Sequence, residues 1–169
     1  MTKPSLPDFP FVLKSAAGGE GRSVWLIHNA EDLNTHLQTR LRKELEGVSG
    51  FVIQEYIPNL QRDLRVVVIG DTIISYWRSQ EGFLHNLACG GVIDLHSDPH
   101  LQQSGQAAAR ELCAQTGINL AGFDLIFPET DSTPFFLEIN YTFGRTGLGG
   151  SEVFYGFLNQ AVAKWSGIR

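Results

Sequence analysis

Two carboxylates and an amide near the end of the chain are set in strongly apolar flanks: Asp124 in Gly-Phe-Asp-Leu, and Glu138 with Asn140 in Phe-Leu-Glu-Ile-Asn. Side chains alternate along a strand, so Glu138 and Asn140 fall on one face, and an antiparallel neighbour can set Asp124 beside them. Carboxylates in such surroundings are costly to desolvate unless a cation or hydrogen-bond donors meet them. Hard oxygens of this kind suit Mg²⁺, which keeps several waters and shares phosphate ligands. The plainer alternative is the solvated face of a strand pair.

A second set opens the chain. Lys14 ends an apolar run and is followed by small residues that include Gly18, Gly19 and Gly21. A lysine there can reach phosphate oxygens while glycine N–H groups cradle them, because glycine allows the backbone angles and the close approach. No Gly-Lys-Ser/Thr follows and no helix starts there, so this is neither a Walker A loop nor a dinucleotide fingerprint. A hairpin tip beside a surface lysine is the competing reading.

Between these sets, Gln54-Glu55-Tyr56-Ile57-Pro58 reads as a strand end. Its freed backbone groups can read an adenine edge while Tyr56 or Ile57 packs on the ring. Asp63 and Arg65 could serve a ribose and a phosphate, or pair with each other. Arg78, at the end of an apolar run, suits a phosphoryl oxygen because its planar fork stays charged. His85 and Asn86 follow it, ahead of Cys89-Gly90-Gly91. His85 reads as a loop histidine.

The elements that must position these residues are readable from spacing. Apolar runs at Phe9–Lys14 and Ser23–Ile27 predict a strand, a glycine-rich turn and a strand. Asn29 is the expected N-cap of a helix over 30–46, in which Leu33, Leu37, Leu41 and Leu45 recur before Gly47. Strands are predicted at Phe51–Tyr56, Leu64–Ile69 and Thr72–Arg78, the last two joined by Gly70-Asp71. Asp98-Pro99 opens a helix to Thr116, closed by Gly117. Leu120–Phe127 and Pro134–Asn140 form a further strand pair, and a last helix follows Ser151.

With 169 residues, 43% apolar and 18% charged, the chain has the composition of a globular fold. Its net charge of -5, with 13 scattered basic residues, argues against a nucleic-acid footprint. No apolar run is long enough for a membrane span and no signal core opens the chain, so the expected compartment is the cytoplasm. Cys89 and Cys113 lack metal-ligand spacing.

Taken in order, the lysine with its glycine-rich turn, Gln-Glu-Tyr-Ile, the strand ending in Arg78, the Asn86–Gly91 segment, and Gly-Phe-Asp with Leu-Glu-Ile-Asn resemble the ATP-grasp superfamily. The branch it resembles is the RimK-like ribosomal-protein glutamate ligases, over about Phe11 to Gly150. The resemblance implies an α+β fold of two lobes with mainly antiparallel sheets that clamp the nucleotide. It divides the chain into a lead-in and truncation point over 1–10, a small glycine-loop lobe over 11–58 and a larger metal-binding lobe over 59–169.

Carried onto matching positions, Lys14 touches the α- or β-phosphate and the turn with Gly18, Gly19 and Gly21 closes over the triphosphate. Glu55, Tyr56 and Ile57 hold adenine, and Asp63 stands near the ribose. Arg78 and Asn86 face the γ-phosphate, while Asp124, Glu138 and Asn140 ligate Mg²⁺, with Mn²⁺ as the alternative ion. The implied reaction activates a carboxylate as an acylphosphate for attack by an amine. Its partners are ATP, a carboxylate substrate, an amine acceptor such as a peptide or protein terminus, and an amino-terminal domain missing ahead of Phe9. No nucleic acid or membrane is expected. A non-catalytic nucleotide-binding sensor or scaffold module is the alternative.

Three positions depart from the family pattern. Leu84 stands where an arginine is usual, Ser23 replaces a glycine, and Tyr-Thr-Phe-Gly-Arg-Thr-Gly follows Asn140 in place of the glutamate ligases' small-residue turn.

Overall fold

The computed structural model describes residues 6–15, 24–44, 50–79 and 92–167. The chain divides into two compact units, Met1–Pro58 and Asn59–Arg169.

In the first unit, β1 (Phe11–Ser15) lies between β2 (Val24–Ile27) and β3 (Phe51–Glu55), antiparallel to both. Phe11, Leu13 and Ile27 are buried, with Trp25, Ile53 and Leu33 packed against them. Leu33 comes from α1 (Ala30–Glu44), so the helix lies on that face of the sheet, as its leucine spacing predicts. The helix starts where Asn29 Oδ1 accepts the N–H groups of Glu31 and Asp32, at 3.0 and 2.9 Å. Asp32 returns the favour by accepting the His28 N–H at 3.1 Å. Such caps are worth about 1 kcal/mol because they satisfy N–H groups that the helix cannot.

The second unit is a five-stranded antiparallel sheet in the order β6-β5-β4-β7-β8. Its strands are β4 (Arg62–Ile69), β5 (Thr72–Ser79), β6 (Val92–Asp94), β7 (Leu120–Ile126) and β8 (Phe135–Asn140). The three-residue β6 is too short for any alternation to announce it, and the sequence does not predict it. Among the described residues of this unit there are also two helices, α2 (Pro99–Thr116) and α3 (Ser151–Trp165), and a 3-10 turn over Thr146–Leu148.

Alternation along the central strands assigns each helix to its face. Leu64, Val66 and Val68 of β4 join Trp77, Phe123 and Leu125 in a core shared with Leu101 and Ala109 of α2. Val67 and Ile69, of opposite parity, join Tyr76 in a second core with Leu148 and with Phe154 and Ala161 of α3. Each fully buried side chain of this size contributes about 1.5–3 kcal/mol, so β4, buried on both faces, is the mechanical centre of the unit. Gly70, in the turn between β4 and β5, has φ 58°, in the left-handed region. A Cβ there would stand 2.9 Å from the Cβ of Ala161, so both the turn and the seat of α3 require glycine.

Candidate functional site

Val67 and Ile69 carry one face of β4 into the α3 core, but toward the start of the strand the same face turns charged. It presents Asp63 and Arg65. The register sets Arg78 of β5 opposite Asp63 and Asp124 of β7 opposite Arg65. One strand further out, Glu138 lies opposite Asp124 and Asn140 opposite Gly122. Six polar side chains from four strands thus share one end of one sheet face.

Their bonds form a chain of alternating charge. Arg78 donates to Asp63 through Nε to Oδ1 at 2.6 Å and through Nη2 to Oδ2 at 2.7 Å. The same Nη2 lies 3.0 Å from Asp124 Oδ1. Arg65 donates to Asp124 through Nε to Oδ1, and through Nη2 to Oδ2 at 3.0 Å. Asn140 Nδ2 donates to Asp124 Oδ2 at 3.1 Å. The four charged residues are 6–8% exposed, so their charges compensate one another away from water.

Burial pushes the Asp63 carboxyl up to about 6 from 3.8, against the pull of Arg78. Desolvation works against the charge on Arg78, but the Asp63 and Asp124 carboxylates outweigh it and raise its pKa. Asp63 and Arg65, which the sequence offers as partners for each other, are therefore paired across strands instead. Spacing of two puts them on the same face, and each finds its counter-ion directly opposite.

A local detail makes room for this arrangement. A Cβ on Gly122 would lie 3.2 Å from Arg65 Nη1 and 3.3 Å from Phe143, so the missing side chain lets the guanidinium and the ring close over β7. Phe143 also walls a hollow of about 690 Å³ formed by residues 143–146 and 149–151, between β8 and α3. Arg145 stands in this wall. Its Nη1 donates to Ser151 Oγ at 3.3 Å and to Tyr155 Oη at 3.2 Å, and its guanidinium lies over the rings of Phe154 and Tyr155.

A β-bulge lies between Asp124 and Leu125, whose partners on β8 are Glu138 and Phe136, leaving Leu137 as the extra residue. It sends Phe136 to the α2 face, where its ring meets Phe123 at 5.9 Å, while Glu138 and Asn140 stay with Asp124. The Glu138 side chain is exposed, and no side-chain hydrogen bond or ion pair joins it to a described residue.

Magnesium suits this donor set in part. No group of three or more His, Cys, Asp or Glu side chains among the described residues could cage a metal ion. The Glu138 carboxylate and the amide oxygen of Asn140 are hard oxygens available to an ion that brings water and phosphate as its other ligands. Asp124 is the third oxygen source, and its acceptor positions are taken by arginine and amide donors.

Of the other residues singled out in the sequence, Lys14 is half-buried in β1, between Val24 and Val52, with the parity opposite to Phe11 and Leu13. Glu55 ends β3 exposed, and Tyr56 and Ile57 follow it half-buried. Gly18, Gly19, Gly21, Ser23, Leu84, His85, Asn86 and Cys89 lie outside the described residues. Gly122 and Arg145 are the site residues that sequence reasoning did not single out, whereas Arg65 was named there with two open roles, a phosphate partner or a partner of Asp63. No local spacing points to either Gly122 or Arg145.

The sequence matches the RimK-like ATP-grasp domain family over residues 4–153. Among curated proteins none matches it. Its fold is similar to that of a RimK domain ATP-grasp protein from Sphaerobacter thermophilus, with TM-score 0.60 and 17% identity over 92% of this chain and 52% of the other. The D-alanine–D-alanine ligase of Bacillus anthracis complexed with ATP superposes with TM-score 0.65 at 16% identity, over 92% and 52% of the two chains. For the biotin carboxylase domain of Hydrogenobacter thermophilus 2-oxoglutarate carboxylase, a complex containing MgADP, the values are 0.64 and 17%, over 89% and 36%. The chain thus spans about half or less of the length of these structures.

Proposed function

The chain belongs to the RimK-like ATP-grasp domain family, and from that membership we propose that it is the ATP-dependent part of a carboxylate–amine ligase. The observation that carries this reading is the ionic chain on the α3 face: two buried guanidiniums, an amide and an open carboxylate gathered at one end of an apolar sheet. Structural pairing alone would not call for Glu138, exposed and without a side-chain partner among the described residues, at their side.

In the proposed reaction, a carboxylate oxygen of the substrate attacks the γ-phosphorus of ATP and ADP leaves with the bridging oxygen. The amine then attacks the acyl carbon of the acylphosphate, losing a proton, and inorganic phosphate departs. Little covalent chemistry is asked of the protein, whose task is to position the groups and to neutralise charge. Arg78, whose Nε and Nη2 hold Asp63, would offer its remaining N–H groups and its charge to the γ-phosphate, a role that the family pattern also gives to Asn86. Glu138, Asn140 and Asp124 are the oxygens for Mg²⁺, which when bound offsets charge on the transferred phosphoryl group. Lys14, the Gly18–Gly21 turn, Glu55, Tyr56, Ile57 and Asp63 keep the phosphate, adenine and ribose roles that the family pattern implies. The hollow beside Arg145 suits the carboxylate of a small substrate or peptide, because arginine offers a planar, permanently charged partner.

The saturation of Asp124 gives a second reading specific support. A nucleotide-binding sensor needs no metal handed to a transferred phosphate, and a structural Asp124 would serve it. Glu138→Gln separates the two. For the ligase, phosphate release from ATP, assayed with pooled carboxylates and amines, falls by about a hundredfold or more, while ATP still binds. Unchanged phosphate release in that variant, or calorimetry showing no Mg²⁺-dependent ATP binding to the wild-type chain, sinks the ligase reading.

A further inference from the structure

A carboxylate has about four lone-pair positions to offer. Asp124 has both oxygens engaged: Oδ1 accepts from Arg65 Nε and is ion-paired with Arg78 Nη2 at 3.0 Å, and Oδ2 accepts from Arg65 Nη2 and Asn140 Nδ2. A divalent ion must take one of these positions, at about 2.0–2.1 Å for magnesium, so a donor has to leave first. The two arginines are not equal in this. Arg78 keeps Asp63 through two bonds of 2.6 and 2.7 Å whether or not it touches Asp124. Arg65 has no acceptor other than Asp124 among the described residues, and it is 7% exposed. Releasing it strands a buried guanidinium, which is strongly unfavourable unless another anion receives it.

A phosphate is the anion that matches the fork best, since both of its parallel N–H groups find oxygens. Resting on the ligase reading above, we propose that Arg65 is a positioning residue that holds Asp124 closed to metal until a nucleotide phosphate takes over its guanidinium. Divalent cation and nucleotide then bind as one coupled event, each strengthening the other by the same factor. Metal alone meets a balanced set of charges and an occupied carboxylate. Metal with nucleotide meets Asp124 with a free oxygen beside Glu138.

The test is nucleotide-free Mn²⁺ binding to the purified chain, read by electron paramagnetic resonance of the free ion. Wild type takes Mn²⁺ only in the millimolar range. Arg65→Gln, which removes the competing charge, tightens nucleotide-free binding by about tenfold, and adding Glu138→Gln cancels the gain. Arg65→Lys, still cationic, stays close to wild type. A merely structural Arg65 would make its loss weaken the site, so unchanged or weaker Mn²⁺ binding in folded Arg65→Gln overturns the proposal. Should that variant not fold, wild type still decides: micromolar Mn²⁺ binding without nucleotide overturns the proposal, and millimolar binding supports it. Failure here, with Mg²⁺-dependent ATP binding intact in wild type, leaves the ligase reading standing. Absence of that ATP binding removes both.

Discussion

The five-stranded sheet carries a buried polar network on each face, and the two are built from different chemistry. On the α2 side the network is neutral. Gln102 donates through Nε2 to the carbonyls of Leu95 and Ser97, at 3.1 and 3.0 Å, and its Oε1 accepts the Ser75 hydroxyl at 2.7 Å. Gln106 Nε2 donates to Ser75 Oγ at 2.8 Å, and Trp77 Nε1 donates to the Ser97 carbonyl at 2.8 Å. On the α3 side the network consists of Asp63, Arg78, Asp124 and Arg65. The neutral set ties the segment between β6 and α2 to the sheet, and its backbone acceptors have one good use. The ionic set consists of side chains alone, and in the proposed function some of them exchange partners with a phosphate or a cation. The contrast teaches that buried polarity satisfied by backbone carbonyls and buried polarity satisfied by opposite charges on side chains differ in whether the partners are replaceable.

Arg78→Met tests this difference most severely. It strands Asp63 and takes a donor from Asp124, so unfolding free energy in urea should fall by about 3–5 kcal/mol, and ATP should no longer raise the unfolding midpoint. A loss below about 1 kcal/mol would mean that the ionic face is not held by pairing.

Next is a pH effect confined to that face. Folding lifts the Asp63 pKa from 3.8 to about 6, so the native chain takes up a proton between those values and stability falls as pH rises through the window. The contribution is fully present below 3.8 and gone by about 6. Urea midpoints of wild type minus those of Asp63→Asn should follow this course, and a difference that does not change with pH refutes it.

The smallest effect belongs to the neutral face. Gln102→Leu leaves the Leu95 carbonyl and the Ser75 hydroxyl short of partners, at a cost of about 1–3 kcal/mol. Here the ATP-induced rise in midpoint should survive unchanged. If it disappears, the two faces are coupled and the distinction drawn between them fails.

Local signals carried much of the fold. Asn29 caps α1, Pro99 and Gly117 bracket α2, and Gly70-Asp71 turns β4 into β5, because each acts through its own backbone or its nearest neighbours. The pairing of Asp124 with Glu138 was also within reach, since β7 and β8 are adjacent in sequence and antiparallel. What sequence could not supply was the place of β4 between β5 and β7. Arg65 and Asp124 are 59 residues apart, and nothing local distinguishes that pairing from one with Asp63. The three-residue β6 and the 3-10 turn over Thr146–Leu148 escaped for another reason: neither is long enough to show a period.

The bulge in β8 has a consequence for tolerance to change in length. Asp124 pairs with Glu138 and Leu125 with Phe136, so the ladder uses every residue of that stretch except Leu137. The strand carries one residue more than its hydrogen bonds consume. Deleting Leu137 should straighten the edge of the sheet while Phe136 stays on the α2 face and Glu138 stays with Asp124, whereas removing one residue from β7 would invert the facing of everything beyond the cut. That slack lies in β8, beside the exposed carboxylate of Glu138.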